Sequence, residues 1–379
     1  MGNDRIRVGI VGLNPHRGWA RVAHLPALRA LPDYEIRAAS TSSRLVDDVK
    51  DAYDLDLVFD NSTEMIQHPD VDLVVVTVKV PFHRELVTAA LDAGKAVYSE
   101  WPLGVDLDEA TGMAVHARRA GVRTVIGLQN RASPAIDHIR AMVAQGQLGE
   151  VLSTTMTLSS MGGTRTGEAN AYLADIRNGA TMLTIMLGQS VDALNYSLGE
   201  WRDLAAFLDT RVPALTVIET GEQIVKDAHD QAAVIGTLVG GATASVHSRS
   251  HTAHPGSFRW EINGSEGHLV VTAQGGSPGM YPLTVLHGGQ GDSELREVSI
   301  DLPRIGDIPS DSWAYNIALT YSRLAKDMRE GTRTVPSFDD AVTRHRMIAA
   351  IDAAAANGTR QSYEPRTADL RLSTISSRS

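Results

Sequence analysis

Apolar residues in the first third of the chain fall into short continuous runs separated by helical spacings. Arg5 to Val11 is a β-branched run that stops at Gly12, the pattern of a buried parallel strand bounded by a turn. A helical stretch from about Trp19 to Leu31 follows and closes at Pro32. Tyr34 to Ser40 reads as a second strand. Asn61 to Glu64 has the form of a capping box opening a short helix, and Asp70 to Val78 is a third strong strand. A helix opens at His83 and runs to Ala93, with Gly94 placed to end it. Ala96 to Tyr98 is a further buried strand that runs into Glu100, Trp101 and Pro102. Asp106 and Glu109 cap a helix reaching Arg119, and Val122 to Leu128 is one more strand. Strands and helices alternating at these lengths specify a doubly wound parallel sheet.

The pattern changes after residue 130. Ser133 and Pro134 start a linking helix, Ala135 to Ala144. Strand-prone runs then follow at Glu150 to Ser160, Val191 to Ser197, Gln231 to Arg249 with Gly240 and Gly241 as its turn, Phe258 to Asn263, and His268 to Thr272. Asn263 and Gly264, with the loop Ser265 to Gly267, carry hairpin chemistry. Between the first two runs lie the small-residue loop Met161 to Gly167 and an apolar helix, Ala180 to Leu187. Gly275 to Gly291 reads as a surface excursion, Asp311 to Arg329 and Phe338 to Ala356 as helices, and the stretch from Thr367 as a polar tail.

Composition narrows the class. With 379 residues, two domains are expected. Apolar and charged shares of 43% and 21% are those of a globular protein. A formal charge of −10 argues against a nucleic-acid surface, which needs clustered cations. No run is long enough to span a membrane and the first residues lack an apolar signal core, so a cytoplasmic location is expected. The absence of cysteine excludes disulfides, thiolate metal sites and a cysteine nucleophile. His229, His247, His251 and His254 are irregularly spaced with no acidic run beside them, which argues against a zinc site and for a polar sheet face or loop. No metal is expected.

The first strand-to-helix turn carries the first chemistry. Gly12 fits the first glycine of a dinucleotide fingerprint, Leu13 follows it, Asn14 stands where the second glycine belongs, and Gly18 with Trp19 comes one residue late. Asn14 is expected to serve through its tolerance of left-handed backbone. The second strand ends on Thr41, Ser42, Ser43 and Arg44, where an acidic reader of the adenosine ribose is usual. Hydroxyls and a guanidinium would instead hold a 2′-phosphate, so NADP is preferred over NAD. An ordinary solvated loop is the other reading of these residues.

Val8 to Gly12, the His24 to Leu28 segment, His83 before a helix ending in Ala93 and Gly94, the Glu100, Pro102 and Leu103 positions, and Gln129 to Pro134 leading to Gly146 to Glu150 together resemble the Gfo/Idh/MocA oxidoreductase family. The resemblance implies a Rossmann domain over residues 1–130 and an α+β domain over 131–366 with a large, mostly antiparallel open sheet. A tail at 367–379 follows. It also implies an active site between the domains and pairing through the open sheet into a dimer or tetramer. The cofactor is expected to meet Val78, Lys79, His83, Glu100 and Trp101 besides the turn residues, and the substrate to meet Trp101, Tyr172, Asp175 and Gln189. Family enzymes carry a lysine where this chain has Trp101, and an aspartate and a histidine where alignment on Asp192 and Glu200 places Ile185 and Gln189. Lys79, His83 and Tyr172 are the remaining candidates for proton transfer. Gly12, Leu13, Asn14, Gly18, Trp19 and the Glu100–Trp101 pair are also similar to the fungal galactose-regulon repressor subgroup, NADP-binding sensors that recruit a protein. Two functions stay open: an oxidoreductase on a sugar- or polyol-like substrate with rearranged acid/base residues, and a catalytically silent NADP-binding sensor with a protein partner.

Overall fold

The computed structural model describes residues 5–363; the polar tail lies outside the described residues. The chain forms two compact units. The first runs to Ala132 and takes in Pro303–Val342, and the second comprises Ser133–Leu302 and the chain from Thr343.

In the first unit, strands β1 (Ile6–Val11), β2 (Tyr34–Ser40), β3 (Leu57–Phe59), β4 (Leu73–Val76), β5 (Ala96–Ser99) and β6 (Thr124–Ile126) alternate with helices. The helices are α1 (Leu25–Arg29), α2 (Val46–Tyr53), α3 (Ser62–Gln67), α4 (His83–Asp92) and α5 (Leu107–Ala120). The sheet order is β3-β2-β1-β4-β5-β6 and every pairing is parallel. Helices on both faces bury the central strands completely, which is why Leu73 to Val76 reads as a continuous apolar run. The expected punctuation holds: the Asn61 side chain accepts from the N–H groups of Thr63 and Glu64, Asp106 accepts from that of Glu109, and Gly94 and Gly121 take left-handed backbone at helix ends. A five-residue π-helix, Ala20–His24, leads directly into α1.

The second unit opens with α6 (Pro134–Ala144), β7 (Val151–Met161), β8 (Arg165–Thr166) and α7 (Gly188–Leu198). The strands β9 (Trp201–Asp209), β10 (Ala214–Val217), β11 (Gln223–Val225), β12 (Gln231–Leu238) and β13 (Thr243–Thr252) follow, then β14 (Ser257–Gly264), β15 (Gly267–Ala273), β16 (Thr284–Gly289) and β17 (Arg296–Glu297). Eight of these form one sheet, β17-β16-β15-β14-β7-β13-β12-β9, antiparallel except between β7 and β13, and β11-β10-β8 form a small second sheet. Met156, Trp260, Ile262 and Val246 on one face of the large sheet share a core with Ile136 and Ile139 of α6 and Val191 and Leu194 of α7. Phe207 and Ile235 lie exposed on the other face.

Two long helices complete the chain, α8 (Tyr315–Glu330) in the first unit and α9 (Phe338–Asn357), within whose first turns the division at Val342 falls. Three expectations are corrected. Val191 to Ser197 is helical, part of α7. Nearly every residue of α7 is buried, polar ones included, so no polar stripe marks its period. The excursion at Gly275 to Gly291 contains β16, whose Val285 and Leu286 pair with β15. Residues 303–342, expected within the second domain, pack in the first unit, where Ile317, Ala318, Tyr321 and Leu324 join the core with Val8, Ile10 and Tyr98.

Candidate functional site

Strand order reverses between β1 and β4, and in open parallel sheets ligands bind beyond the carboxyl ends of the strands at that point. The loops leaving β1, β2, β4 and β5 carry every residue expected to meet a cofactor. Thr77, just after β4, donates its hydroxyl to the Val11 carbonyl at 2.8 Å and ties the two strand ends together. Gly12 has φ +86°, and a β-carbon there would lie 2.6 Å from Val78 Cγ1. A side chain would therefore collide with the neighbouring loop in a backbone conformation it disfavours.

The turn itself works differently from the expectation for Asn14. Positive φ falls on Gly12 and Gly18, and Asn14 is not left-handed. Its side-chain oxygen instead accepts from the N–H groups of His16 and Arg17 at 2.8 and 3.2 Å, bracing the turn from within. The Gly12 and Leu13 N–H groups donate to the Ser40 carbonyl, while Leu13 is buried. The helical segment that starts after Trp19 has no side-chain cap and no acidic residue in its first turn. Arg17 precedes it and Arg21 is its second residue. A helix start free of acidic residues, with cations beside it, suits a pyrophosphate. Trp19 is half-buried and stacks on Trp313 with centroids 6.2 Å apart.

Beyond β2, the Thr41 N–H donates to the Phe59 carbonyl and Ser42 precedes a short 3₁₀ turn. Ser42, Ser43 and Arg44 are exposed, and Arg44 makes no ion pair among the described residues. Beyond β4, Lys79 is exposed and starts the turn Val80–Phe82. His83 is fully buried, with Nδ1 3.0 Å from the Pro102 carbonyl and Nε2 2.9 Å from that of Val78. Burial lowers its proton affinity despite those bonds. Both carbonyls can only accept, so the neutral ring that burial favours donates to one of them at a time, and His83 bridges the two loops fully only when doubly protonated.

Glu100 is held by His24, for which no motif specifies a role. His24 Nε2 donates to Glu100 Oε1 at 2.9 Å, and Nδ1 lies 2.7 Å from the Tyr321 hydroxyl. Tyr98 meets the His24 ring edge-on, and burial keeps the Tyr98 and Tyr321 hydroxyls protonated. His24 belongs to the family-like segment His24–Leu28, the one signal for it in the sequence; Tyr321, almost 300 residues away, carries none. Trp101, joined to Pro102 by a cis peptide, is only 5% exposed and lies in the apolar cluster with Leu128 and Phe338.

In the second unit, Tyr172 lies on a 3₁₀ stretch, half-buried, and burial raises its hydroxyl pKa. Asp175 pairs with Arg177 at 2.7 Å and caps the next turn; that hydrogen bonding lowers its pKa. Gln189 is buried at the start of α7, after the π-helix Met182–Leu187 that holds Ile185. Asp192 and Glu200 both face the buried Arg344, with Tyr363 also donating to Glu200, which makes this cluster a structural charge network. His229, His247, His251 and His254 do not gather into one group, and no cluster of metal-binding side chains occurs among the described residues. No described helix is long and apolar enough to cross a membrane.

Comparison with known proteins agrees with this geometry. Residues 6–128 match the model of the oxidoreductase family with an NAD-binding Rossmann fold, and residues 134–273 match that of the Gal80p C-terminal domain. The dehydrogenase aclE of Aspergillus oryzae is 29% identical over 376 residues, covering 95% of this chain and 99% of that protein. The galactose/lactose metabolism regulatory protein GAL80 of Saccharomyces cerevisiae is 28% identical over 308 residues, covering 75% and 70%. Among solved structures, a super-repressor mutant of S. cerevisiae Gal80p has a TM-score of 0.83 at 22% identity, covering 99% of this chain and 100% of that one. Levoglucosan dehydrogenase in complex with NADH and levoglucosan has 0.82 at 19%, covering 95% and 100%. At these identities the structural matches speak for the fold alone. Residues 6–128 thus match the NAD-binding Rossmann fold of the Gfo/Idh/MocA oxidoreductase family, and the chain as a whole is similar to dehydrogenase and Gal80-like relatives.

Proposed function

We propose that this protein binds NADP in preference to NAD and acts as an oxidoreductase on a small, neutral, hydroxylated substrate of the sugar or polyol kind. The observation that carries the cofactor choice is the end of β2, where exposed Ser42, Ser43 and Arg44 replace the acid that would repel a 2′-phosphate. We assign the pyrophosphate to the turn Gly12, Leu13, Asn14, Gly18 and Trp19, the 2′-phosphate to Thr41, Ser42 and Arg44, and the nicotinamide end to Val78, Lys79 and the Glu100–Trp101 loop, with His83 bracing that loop. A bound nicotinamide supplies the hydride chemistry; Trp101, Tyr172, Asp175 and Gln189 shape the substrate side. We further propose a cytoplasmic homo-oligomer that pairs through the sheet face bearing Phe207 and Ile235.

The sensor reading draws on one specific observation. The lysine position holds an indole buried in the core, which fits a binding protein as readily as an enzyme. Titrating the purified protein with NADPH and NADH by fluorescence, then following nicotinamide absorbance against a panel headed by levoglucosan and L-sorbose, separates the two. Turnover on any member supports the enzyme. Tight NADPH binding with no turnover favours the sensor, and failure to bind either dinucleotide overturns both.

A further inference from the structure

The second unit carries a distortion that neither the family motifs nor the assigned residues account for. Along the pairing of β13 with β7, Arg249 faces Ser159 and Thr252 faces Met161. Two residues, Ser250 and His251, thus oppose the single Ser160, which is a β-bulge. His251 sits in it at φ +60°, one of two non-glycine residues with positive φ among the described residues. Left-handed backbone costs a side chain of this size free energy, and bulges re-aim side chains. Outliers of this kind collect at functional sites.

Neighbouring loops hold the ring in place. Nδ1 is 2.6 Å from the Gly163 carbonyl, which can only accept, so Nδ1–H is the donor. Gly162 lies flat against it, since a β-carbon there would be 2.7 Å from His251 Nδ1. The Ser250 N–H donates to the Asp230 carbonyl, and the Thr252 hydroxyl to that of Ser160. Charged groups facing the ring are Lys226 and Asp230, themselves paired at 3.0 Å and buried. Burial, with Lys226 adding to it, lowers the proton affinity of the imidazole against the opposing effects of Gly163 and Asp230. The ring is therefore neutral near pH 7, with the Nε2 lone pair unused by any hydrogen bond among the described residues. The segment bearing Tyr172 and Asp175 is fastened to the same place, because the N–H groups of Asp227 and Ala228 both donate to the Ala174 carbonyl.

From this arrangement we propose that His251 Nε2, over the Gly162–Gly163 loop, is the hydrogen-bond acceptor for a hydroxyl group of the small molecule this protein binds. A neutral ring nitrogen with its partner N–H anchored selects an O–H donor and rejects a carboxylate or phosphate, which would need a cation. The inference rests on the proposed hydroxylated ligand and deepens it.

Histidine-selective ¹⁵N NMR tests this directly, with the His251 resonance identified by its loss in His251→Asn. Asparagine tolerates the left-handed backbone and its amide can keep the Gly163 bond. The expected result is the Nδ1–H tautomer at pH 7.5, a shift of Nε2 on adding levoglucosan or L-sorbose, and roughly tenfold or weaker sugar binding in His251→Asn. Gly162→Ala, which displaces the ring without deleting it, should weaken sugar binding as well. An Nε2–H tautomer, no response to either sugar, or unchanged sugar binding in both variants overturns the proposal. NADPH titrations of the same samples keep the two readings apart: lost NADPH binding in the wild type counts against the proposed cofactor and leaves the His251 result standing.

Discussion

Arg44 and Trp101 show how far single residues carry a functional argument. Arg44 was readable from its place after a strand, and the structure leaves its guanidinium exposed beside two serines. Arg44→Ala is expected to weaken NADPH by about 1.5–3 kcal/mol, the usual range for a hydrogen bond to a charged group. That is roughly ten- to a hundredfold in Kd, with NADH hardly changed. Equal weakening of the two in fluorescence titrations would show that Arg44 does not read a 2′-phosphate. Trp101 was readable as a departure from the family lysine, but its burial was not, because exposure depends on neighbours such as Leu128 and Phe338 that lie far along the chain. Trp101→Lys would leave a cavity and an ammonium in an apolar cluster. We expect a loss of about 3–5 kcal/mol in urea unfolding, on the scale of large-to-small core changes. A midpoint equal to wild type would mean that the loop already has room for a lysine.

At the scale of elements, what was legible depended on whether burial is one-sided. β4 is a continuous apolar run, and β1 and β5 are short apolar runs, broken only by Arg7 in β1, that end at Gly12 and at Ser99, so their sequence marks them directly. α7 is buried all round, so its polar residues Asp192, Asn195 and Ser197 mark no solvent-facing stripe and the helical period is hidden. The bulge at His251 left no trace in the sequence, since its register depends on β7, some 90 residues earlier. The junction from α8 to α9 shows a tertiary restraint on a local element. Asp327 in the last turns of α8 accepts from the Thr332 hydroxyl at 2.6 Å and from the N–H groups of Thr334 and Val335 at 2.7 and 3.1 Å. Burial alone would raise its pKa, but these bonds outweigh burial and hold it below the ordinary value. A depressed carboxylate contributes stability that is fully present above the unfolded pKa of about 3.9 and is lost as pH falls through the folded value. Urea midpoints should therefore drop on acidification below about pH 4, and Asp327→Asn, less stable at neutral pH, should show a smaller drop. Parallel acid profiles for the two proteins would remove Asp327 from this account.

The whole molecule is divided in a way that no local pattern announces. Local signals placed a boundary near residue 130, close to the division at Ala132. They could not show that the chain returns at Pro303, because α8 reads as an amphipathic helix wherever it packs. Its return completes the first unit: Ile317, Ala318, Tyr321 and Leu324 fill the core beside Val8 and Tyr98. The Tyr34 hydroxyl donates to the Tyr321 carbonyl, Arg323 donates to the Arg131 and Ala132 carbonyls, and the Tyr321 hydroxyl reaches His24 behind Glu100. A fragment ending at Ala132 would expose that core and leave His24 with an empty partner position, so it should fail to give a cooperative thermal transition by circular dichroism. Joining Ala132 to Pro303 through a short Gly-Ser linker, and ending the chain at Val342, restores every one of these contacts. The joined protein should melt cooperatively and bind NADPH, because the turn at Gly12, the serines and Arg44 after β2, and the Glu100 loop all belong to this unit. Cooperative folding of the shorter fragment would show that α8 decorates the first unit without completing it; a folded joined protein blind to NADPH would show that the dinucleotide needs residues beyond those assigned.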